Sequence, residues 1–132
     1  MMSYAESTRN AGIQAHIDGV DGGSGFGRIE CGSDSSFSSI LATFTLQKPS
    51  YSSPADGSAS VLGLPLSTTF SGNGTITHAR EVDSDGNAYA AGTVSTVGGG
   101  GNYIVTTTEA ATGLPVNLVS GTRVWPDPLG LL

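Results

Sequence analysis

Apolar and polar residues alternate along much of the chain, and this alternation predicts a protein built mainly of short β-strands. The clearest segment is LATFTL at 41–46, where apolar residues fall on one face and threonines on the other. Glycine, proline and serine separate the alternating segments, as turns require. The predicted strands are 28–30, 41–46, 57–62, 64–70, 75–82, 88–97, 103–108 and 115–124.

About eight short strands at this spacing are typical of two packed antiparallel sheets. We therefore expect an all-β protein with an antiparallel β-sandwich of jelly-roll or immunoglobulin-like type. Residues 83–87, between two of the strands, predict a β-hairpin in which Gly86 supplies a positive φ.

One segment, residues 3–16, has a helical pattern. Ser3 can cap it, Glu6 follows three residues later, and Ile13 and Ile17 fall on one face.

Three regions follow from this pattern. Residues 1–27 hold the helix and a glycine-rich segment, 19–27, which is expected to be a flexible connection. Residues 28–124 form the β-domain. Residues 125–132, WPDPLGLL, differ from the rest because two prolines favour an extended, apolar C-terminal tail.

Composition narrows the function classes. The 132 residues include 20 glycines, 18 serines and 14 threonines but only 12% charged residues, a balance that disfavours most helical folds. Hydrophobic residues reach 37%, which is too many for a disordered chain. The net charge of −6 argues against nucleic-acid binding. We identify no signal peptide and no membrane span, so no membrane partner is expected.

The residues that could carry chemistry are few. Cys31 is the single cysteine and is expected to be a buried, unreactive thiol. His16 and His78 lack the spacing of metal ligands. Asp83 and Asp85 resemble the start of a calcium loop, but a hairpin turn explains them better, and whether they bind a cation stays open.

Two further patterns bear on possible chemistry. The glycines of 22–27 imitate a phosphate-binding loop without its lysine, so a linker is the preferred interpretation. A small hydrolase is the least supported function, because no Gly-x-Ser-x-Gly turn occurs. We expect no enzyme and no cofactor.

Apolar residues near both ends predict a partner surface. An extended tail that exposes a tryptophan and three leucines usually binds another surface, although folding back on its own domain is an equal alternative. The predicted partner-binding residues are Tyr4, Ile13, Trp125, Leu129, Leu131 and Leu132.

The order of the segments resembles a family. A helix followed by LATFTLQKPSY (41–51), GNGTITHAREVDSDGNAYAAGTV (72–94) and LPVNLVSGTRV (114–124) is similar to small virion proteins of tailed bacteriophages. The resemblance spans residues 3–124. It departs from that family at His78-Ala79-Arg80, where an aromatic residue usually precedes the arginine, and in the apolar tail.

The resemblance implies a virion structural protein, most simply a capsid decoration or cement protein. Its partner would be the major capsid protein or another virion protein, and a homo-oligomer is expected. The alternative is an accessory protein of the tail, neck or fibre that binds host carbohydrate through Tyr51, Tyr89 and Tyr103.

Overall fold

The structure, a computed structural model, describes residues 4–124 and is mostly β with one short helix. The elements are α1 (Glu6–Val20), β1 (Arg28–Gly32), β2 (Ile40–Thr45), β3 (Ser58–Ser60), β4 (Leu66–Thr69), β5 (Gly74–Thr75), β6 (His78–Val82), β7 (Ala88–Ser95), β8 (Tyr103–Val105), β9 (Glu109–Ala110) and β10 (Pro115–Val124).

Eight strands form one sheet that curls into a half-barrel. Their order is β2-β1-β6-β7-β8-β10-β3, with β4 also paired to β10, and β5 and β9 form a separate pair. The predicted β-rich content is confirmed, and a sandwich of two stacked sheets is not.

The prediction that all strands are antiparallel is wrong at one position. Strands β7 and β8 run parallel, with Val94 opposite Tyr103 and Ser95 opposite Ile104. Parallel neighbours normally need a long crossover. Here the connection is the short loop 96–102, in which two glycines take a positive φ, Gly98 at 89° and Gly100 at 79°.

The predicted hairpin between β6 and β7 is confirmed. The two strands are antiparallel, and Gly86 takes a φ of 89° in the turn. The Asp83 N–H donates to the Asn87 carbonyl at 3.0 Å, which closes the turn.

The curled sheet brings strand β2 close to β4 at one end. The Ser71 N–H donates to the Leu41 carbonyl at 2.9 Å, and the Ser71 hydroxyl donates to the Ile40 carbonyl at 3.2 Å. Over the described residues, β2 and β4 form no ladder with each other.

Helix α1 packs against the sheet. Its buried side chains are Ile13, His16, Ile17 and Val20, so the helix extends beyond its predicted end at residue 16. The predicted Ser3 cap is wrong, because Ala5 precedes the first turn and makes no side-chain cap hydrogen bond. The helix residues join those of the sheet in one apolar cluster, so the helical and β regions share a core.

Candidate functional site

Four polar side chains meet in the core between α1 and the sheet, around the carboxylate of Glu81. The Tyr51 hydroxyl donates to Glu81 Oε1 at 2.6 Å, and His16 Nε2 lies 3.0 Å from the same oxygen. The Tyr103 hydroxyl donates to Glu81 Oε2. The ring of His16 also meets that of Tyr51 edge-on, with centroids 5.8 Å apart. We call these four residues the Glu81 cluster.

Strand alternation explains why a carboxylate lies inside. In β6, Ala79, Glu81 and Val82 are buried, while Arg80 faces outward. The Arg80 guanidinium binds the Glu30 carboxylate at 2.9 Å and lies 4.9 Å above the ring of Phe37. Because adjacent strand residues point to opposite faces, Arg80 is directed away from Glu81, and the partners of Glu81 come from other segments.

All four residues of the Glu81 cluster are buried. The relative exposures are 0% for Glu81, 1% for Tyr103, 2% for Tyr51 and 8% for His16. A buried carboxylate is expensive unless it is hydrogen-bonded, and three donors surround this one. The cluster therefore joins α1, the segment after β2 and strand β8 to β6, and it gives the core a fixed polar arrangement.

A second polar contact holds the segment after β2. Both carboxylate oxygens of Asp21 accept the Ser50 N–H, at 3.2 and 3.1 Å. Ser50 is fully buried, and its hydroxyl has no hydrogen-bond partner among the described residues. Asp21 directly follows α1, so this contact also ties the end of the helix to the residue before Tyr51.

The Asp83 carboxylate is used inside its own turn. It accepts the backbone N–H groups of Asp85 and Asn87 at 2.9 Å each, and the Tyr89 hydroxyl at 3.2 Å. These bonds, the Asn87 N–H first among them, lower the pKa of Asp83. Burial, followed by the bond to Asp83, raises the pKa of Tyr89. These bonds agree with the interpretation of the Asp83–Asp85 motif as a hairpin turn.

The glycine-rich segment expected to be a flexible connection is bound on two sides. The Gly25 N–H donates to the Ser84 hydroxyl at 3.0 Å, and the Lys48 ammonium donates to the Gly23 carbonyl at 2.9 Å. A side chain at position 23 would collide with Ser84, because its Cβ would lie 2.0 Å from Ser84 Oγ. The glycines thus allow close contact with the β6–β7 turn.

The predicted partner-binding residues divide into three groups. Tyr4 is 45% exposed, as a contact residue would need to be. Ile13 is a fully buried residue of α1 and packs in the core instead of facing a partner. Trp125, Leu129, Leu131 and Leu132 lie outside the described residues.

The aromatic residues proposed for carbohydrate binding are mostly unavailable. Tyr51 and Tyr103 belong to the Glu81 cluster and are buried, so neither can stack on a sugar, whereas Tyr89 is exposed. Cys31 is buried as predicted, and burial raises the pKa of its thiol to about 12. The Nδ1 of His78 pairs with the Thr77 hydroxyl at 2.8 Å.

Sequence reasoning missed the Glu81 cluster. Residues 16 and 81 are 65 positions apart, and no spacing rule pairs them. The available signal was the period of two in β6, which places Glu81 on the same face as the apolar Ala79. The exposed Phe26 and Val97 were also not predicted as contact residues.

No family model matches the chain, and neither a curated protein nor a solved structure does. Between residues 4 and 124, no group of three or more histidine, cysteine, aspartate or glutamate side chains could hold a metal ion. The helix within this range is too short and too polar to cross a membrane.

Proposed function

We propose that the chain is a structural protein of a tailed-bacteriophage particle, bound to the capsid shell as a decoration protein. The proposal takes its family from the sequence resemblance. Its physical support comes from the way the described residues use their ionisable groups and from where the described range, 4–124, begins and ends in the fold.

Several ionisable groups of the described residues are bound within the fold. Glu81 is sealed in the core, Asp83 binds its own turn, and Glu30 pairs with Arg80 and Arg28 on the outer face. Groups engaged in this way stabilise a scaffold. This use of charge favours a role in assembly over a role in catalysis.

The observation that carries the proposal is that both ends of the described chain reach the same hairpin. The Asp56 N–H donates to Glu6 near the start of α1, and the Asp56 carboxylate pairs with Arg9 at 3.3 Å. On the same hairpin, Ser58 is opposite Val124 in β10. Tyr4 precedes Glu6 by two residues and Trp125 follows Val124, so the two predicted contact segments start from one corner of the protein.

A composite contact built from both ends would suit a protein that clamps adjacent shell subunits. Apolar residues contributed from two directions bury more area than either segment alone, and specific contacts need roughly 800 Å² per partner. We expect Tyr4 to contact the shell together with Trp125, Leu129, Leu131 and Leu132.

Copy number in purified particles tests the proposal. A decoration protein follows the symmetry of the shell, so it should be present at on the order of hundreds of copies, comparable to the major capsid protein. Quantitative gel densitometry or mass spectrometry provides the ratio. A few to tens of copies would favour the tail, neck or fibre alternative, in which Tyr89 is the exposed tyrosine left to bind carbohydrate.

Binding of variants to purified capsids tests whether this corner is the interface. We expect Tyr4→Ala and deletion of residues 125–132 each to weaken binding to purified capsids at least about tenfold, because each removes apolar contact area. Val97→Ser is the matched control, since Val97 is 83% exposed but lies in the β7–β8 loop. Full binding by both corner variants would exclude this corner as the interface.

A further inference from the structure

The outer face of strands β1 and β6 carries two arginines that share one carboxylate. Glu30 Oε1 accepts the Arg80 Nε–H at 2.9 Å, and Glu30 Oε2 lies 3.7 Å from Arg28 Nε. Two of the five basic residues of the chain meet only one of its eleven acidic residues here. The group therefore has one positive charge in excess, on a protein whose net charge is −6.

Arg80 is held in one orientation. Its Nε binds Glu30, and its guanidinium carbon lies 4.9 Å from the centroid of the Phe37 ring. Phe37 takes a φ of 56°, in the left-handed region that a bulky residue seldom adopts. The Asp34 carboxylate ties this loop, because it accepts the Ser36 N–H at 3.0 Å and the Ser36 hydroxyl at 2.7 Å. Backbone strain of this kind is typical of sites that fix a side chain for binding.

The edge of Arg80 that remains open is suited to a carboxylate. Among residues 4–124, neither Nη nitrogen of Arg80 has a hydrogen-bond partner. The side chain is 31% exposed, so another molecule can reach these nitrogens. Two N–H groups at a fixed spacing match the two oxygens of a carboxylate. Because Glu30 and Phe37 already orient the guanidinium, binding requires little further ordering of the side chain.

Phe26 adds an exposed aromatic ring to the same face. The Leu46 N–H donates to the Gly27 carbonyl at 2.9 Å, which continues the β1–β2 ladder one residue beyond Arg28. A Cβ on Gly27 would lie 2.7 Å from the buried Val20, so position 27 faces inward and positions 26 and 28 face outward. Phe26 is 56% exposed. Arginine together with aromatic rings is typical of the centre of a protein–protein contact.

We propose that this outer face is a docking surface for an acidic side chain of another protein. Its residues are Phe26, Arg28, Glu30, Phe37 and Arg80. The Arg80 Nη groups bind the carboxylate, and Phe26 contacts apolar residues beside it. One positive charge in excess suits a single carboxylate, whereas a polyanion would bring many negative charges to an already acidic protein. The inference does not depend on the capsid contact, which uses different residues.

Capped tripeptides test the docking surface. Leu-Glu-Leu presents one carboxylate between apolar side chains, Leu-Gln-Leu removes only the charge, and Gly-Glu-Gly removes only the apolar side chains. Titration into the full-length protein, followed by NMR of the arginine Nε–H groups and the amides of β1 and β6, measures each affinity. We expect Leu-Glu-Leu to bind at least about fivefold more tightly than either control peptide. Equal affinity for the glutamate and glutamine peptides would overturn the proposal.

Two arginine variants separate the docking surface from a general effect of charge. Arg80→Lys keeps the charge but loses the paired N–H groups, so affinity for Leu-Glu-Leu should fall about fivefold or more. Arg9→Lys is the matched control, since Arg9 is also 31% exposed and pairs with the Asp56 carboxylate at 3.3 Å. We expect this control to keep its affinity within about twofold. Unchanged affinity in Arg80→Lys, or equal losses in both variants, would contradict the proposal.

Phe26→Ser tests the apolar part of the surface, because it removes an exposed ring and leaves the charges in place. It should lower the affinity for Leu-Glu-Leu about threefold or more and leave that for Gly-Glu-Gly unchanged. Sedimentation of the protein alone distinguishes a different protein from a second copy of this chain. Self-association that Arg80→Lys abolishes would assign the surface to a second copy and overturn the proposed occupant.

Discussion

Tyr89 shows how one half-exposed residue connects three parts of the molecule. It belongs to β7, its hydroxyl donates to the Asp83 carboxylate of the β6–β7 turn, and its ring lies against Gly19 in α1. A Cβ at position 19 would lie 2.5 Å from a ring carbon of Tyr89, far inside van der Waals contact. Glycine is therefore required here for close packing, although alanine would favour the helix.

The contact between Gly19 and Tyr89 predicts that the effect of Gly19→Ala on stability changes sign when Tyr89 is replaced by alanine. Gly19→Ala should destabilise the protein by about 1–3 kcal/mol, because the ring has to move. With Tyr89→Ala already in place, the same substitution should stabilise it by up to about 1 kcal/mol through helix propensity. Chemical denaturation measures all four free energies of unfolding, and destabilisation in both backgrounds would show that the ring is not the obstacle.

The lowered pKa of Asp83 predicts how its contribution depends on pH. Because the folded-state pKa lies below the unfolded value, Asp83 stabilises the protein above the unfolded pKa of about 3.9, and this stabilisation is lost as pH falls through the folded pKa. Asp83→Asn should lower stability at pH 7 and flatten its decline in acid. Denaturation curves between pH 7 and pH 2 measure both effects, and an unchanged slope would contradict the assignment.

At the level of elements, the sequence predicted those whose bonding is local. The β6–β7 hairpin follows from Asp85 and Gly86 between alternating segments, and the turn is closed by its own residues. The parallel β7–β8 pair could not be anticipated in the same way. A strand at 103–108 was predicted, and β8 occupies its first three residues. Its parallel pairing with β7 depends on the path of the intervening loop, which no local pattern indicates.

The hairpin at 55–58 has a local sequence signal, its Asp56-Gly57 pair. Asp56 and Gly57 have φ values of 53° and 73°, and the backbone groups of Ala55 and Ser58 bond to each other in both directions. An Asp-Gly pair with two positive φ values is typical of a type I′ turn. What no local pattern indicates is that α1 binds the back of this turn.

The contact between α1 and this turn predicts that replacing Asn10 lowers the stability of the protein. Asn10 Oδ1 accepts the Gly57 N–H at 2.8 Å, so Asn10→Ala should destabilise the protein by about 1–2 kcal/mol by leaving a partly buried donor without its partner. Ser7→Ala in the same helix is the control, since Ser7 is exposed and the substitution raises helix propensity. Equal effects of the two substitutions on thermal unfolding would count against the contact.

At the scale of the whole molecule, the predicted alternation of strand residues produces one continuous core. Ile29 and Phe44 pair across β1 and β2, and Cys31 pairs with Ala42 two positions further along. Composition and periodicity were enough to anticipate this apolar interior. They did not anticipate the curvature of the sheet or the burial of Glu81, because both depend on contacts between distant segments.

Cys31 is a natural reporter of opening of the whole core. Its strand lies between β2 and β6, and burial raises its pKa to about 12 from the ordinary 9.0. At pH 8 the ionised fraction is thus lowered about a thousandfold, in addition to steric protection. Labelling by a disulfide reagent should require unfolding, and the free energy from labelling rates should match that from denaturant titration. Rapid labelling of the native protein would contradict this.

Ser71, just after β4, bonds to Ile40 and Leu41 of β2, while the described residues of β2 and β4 form no ladder with each other. Away from Ser71, β2 and β4 can separate slightly without breaking a ladder among residues 4–124. A bulkier interior side chain could therefore be accommodated by widening of the half-barrel at that end. Substitutions that enlarge the core should be tolerated better there than between β1 and β6, where a continuous ladder fixes the spacing.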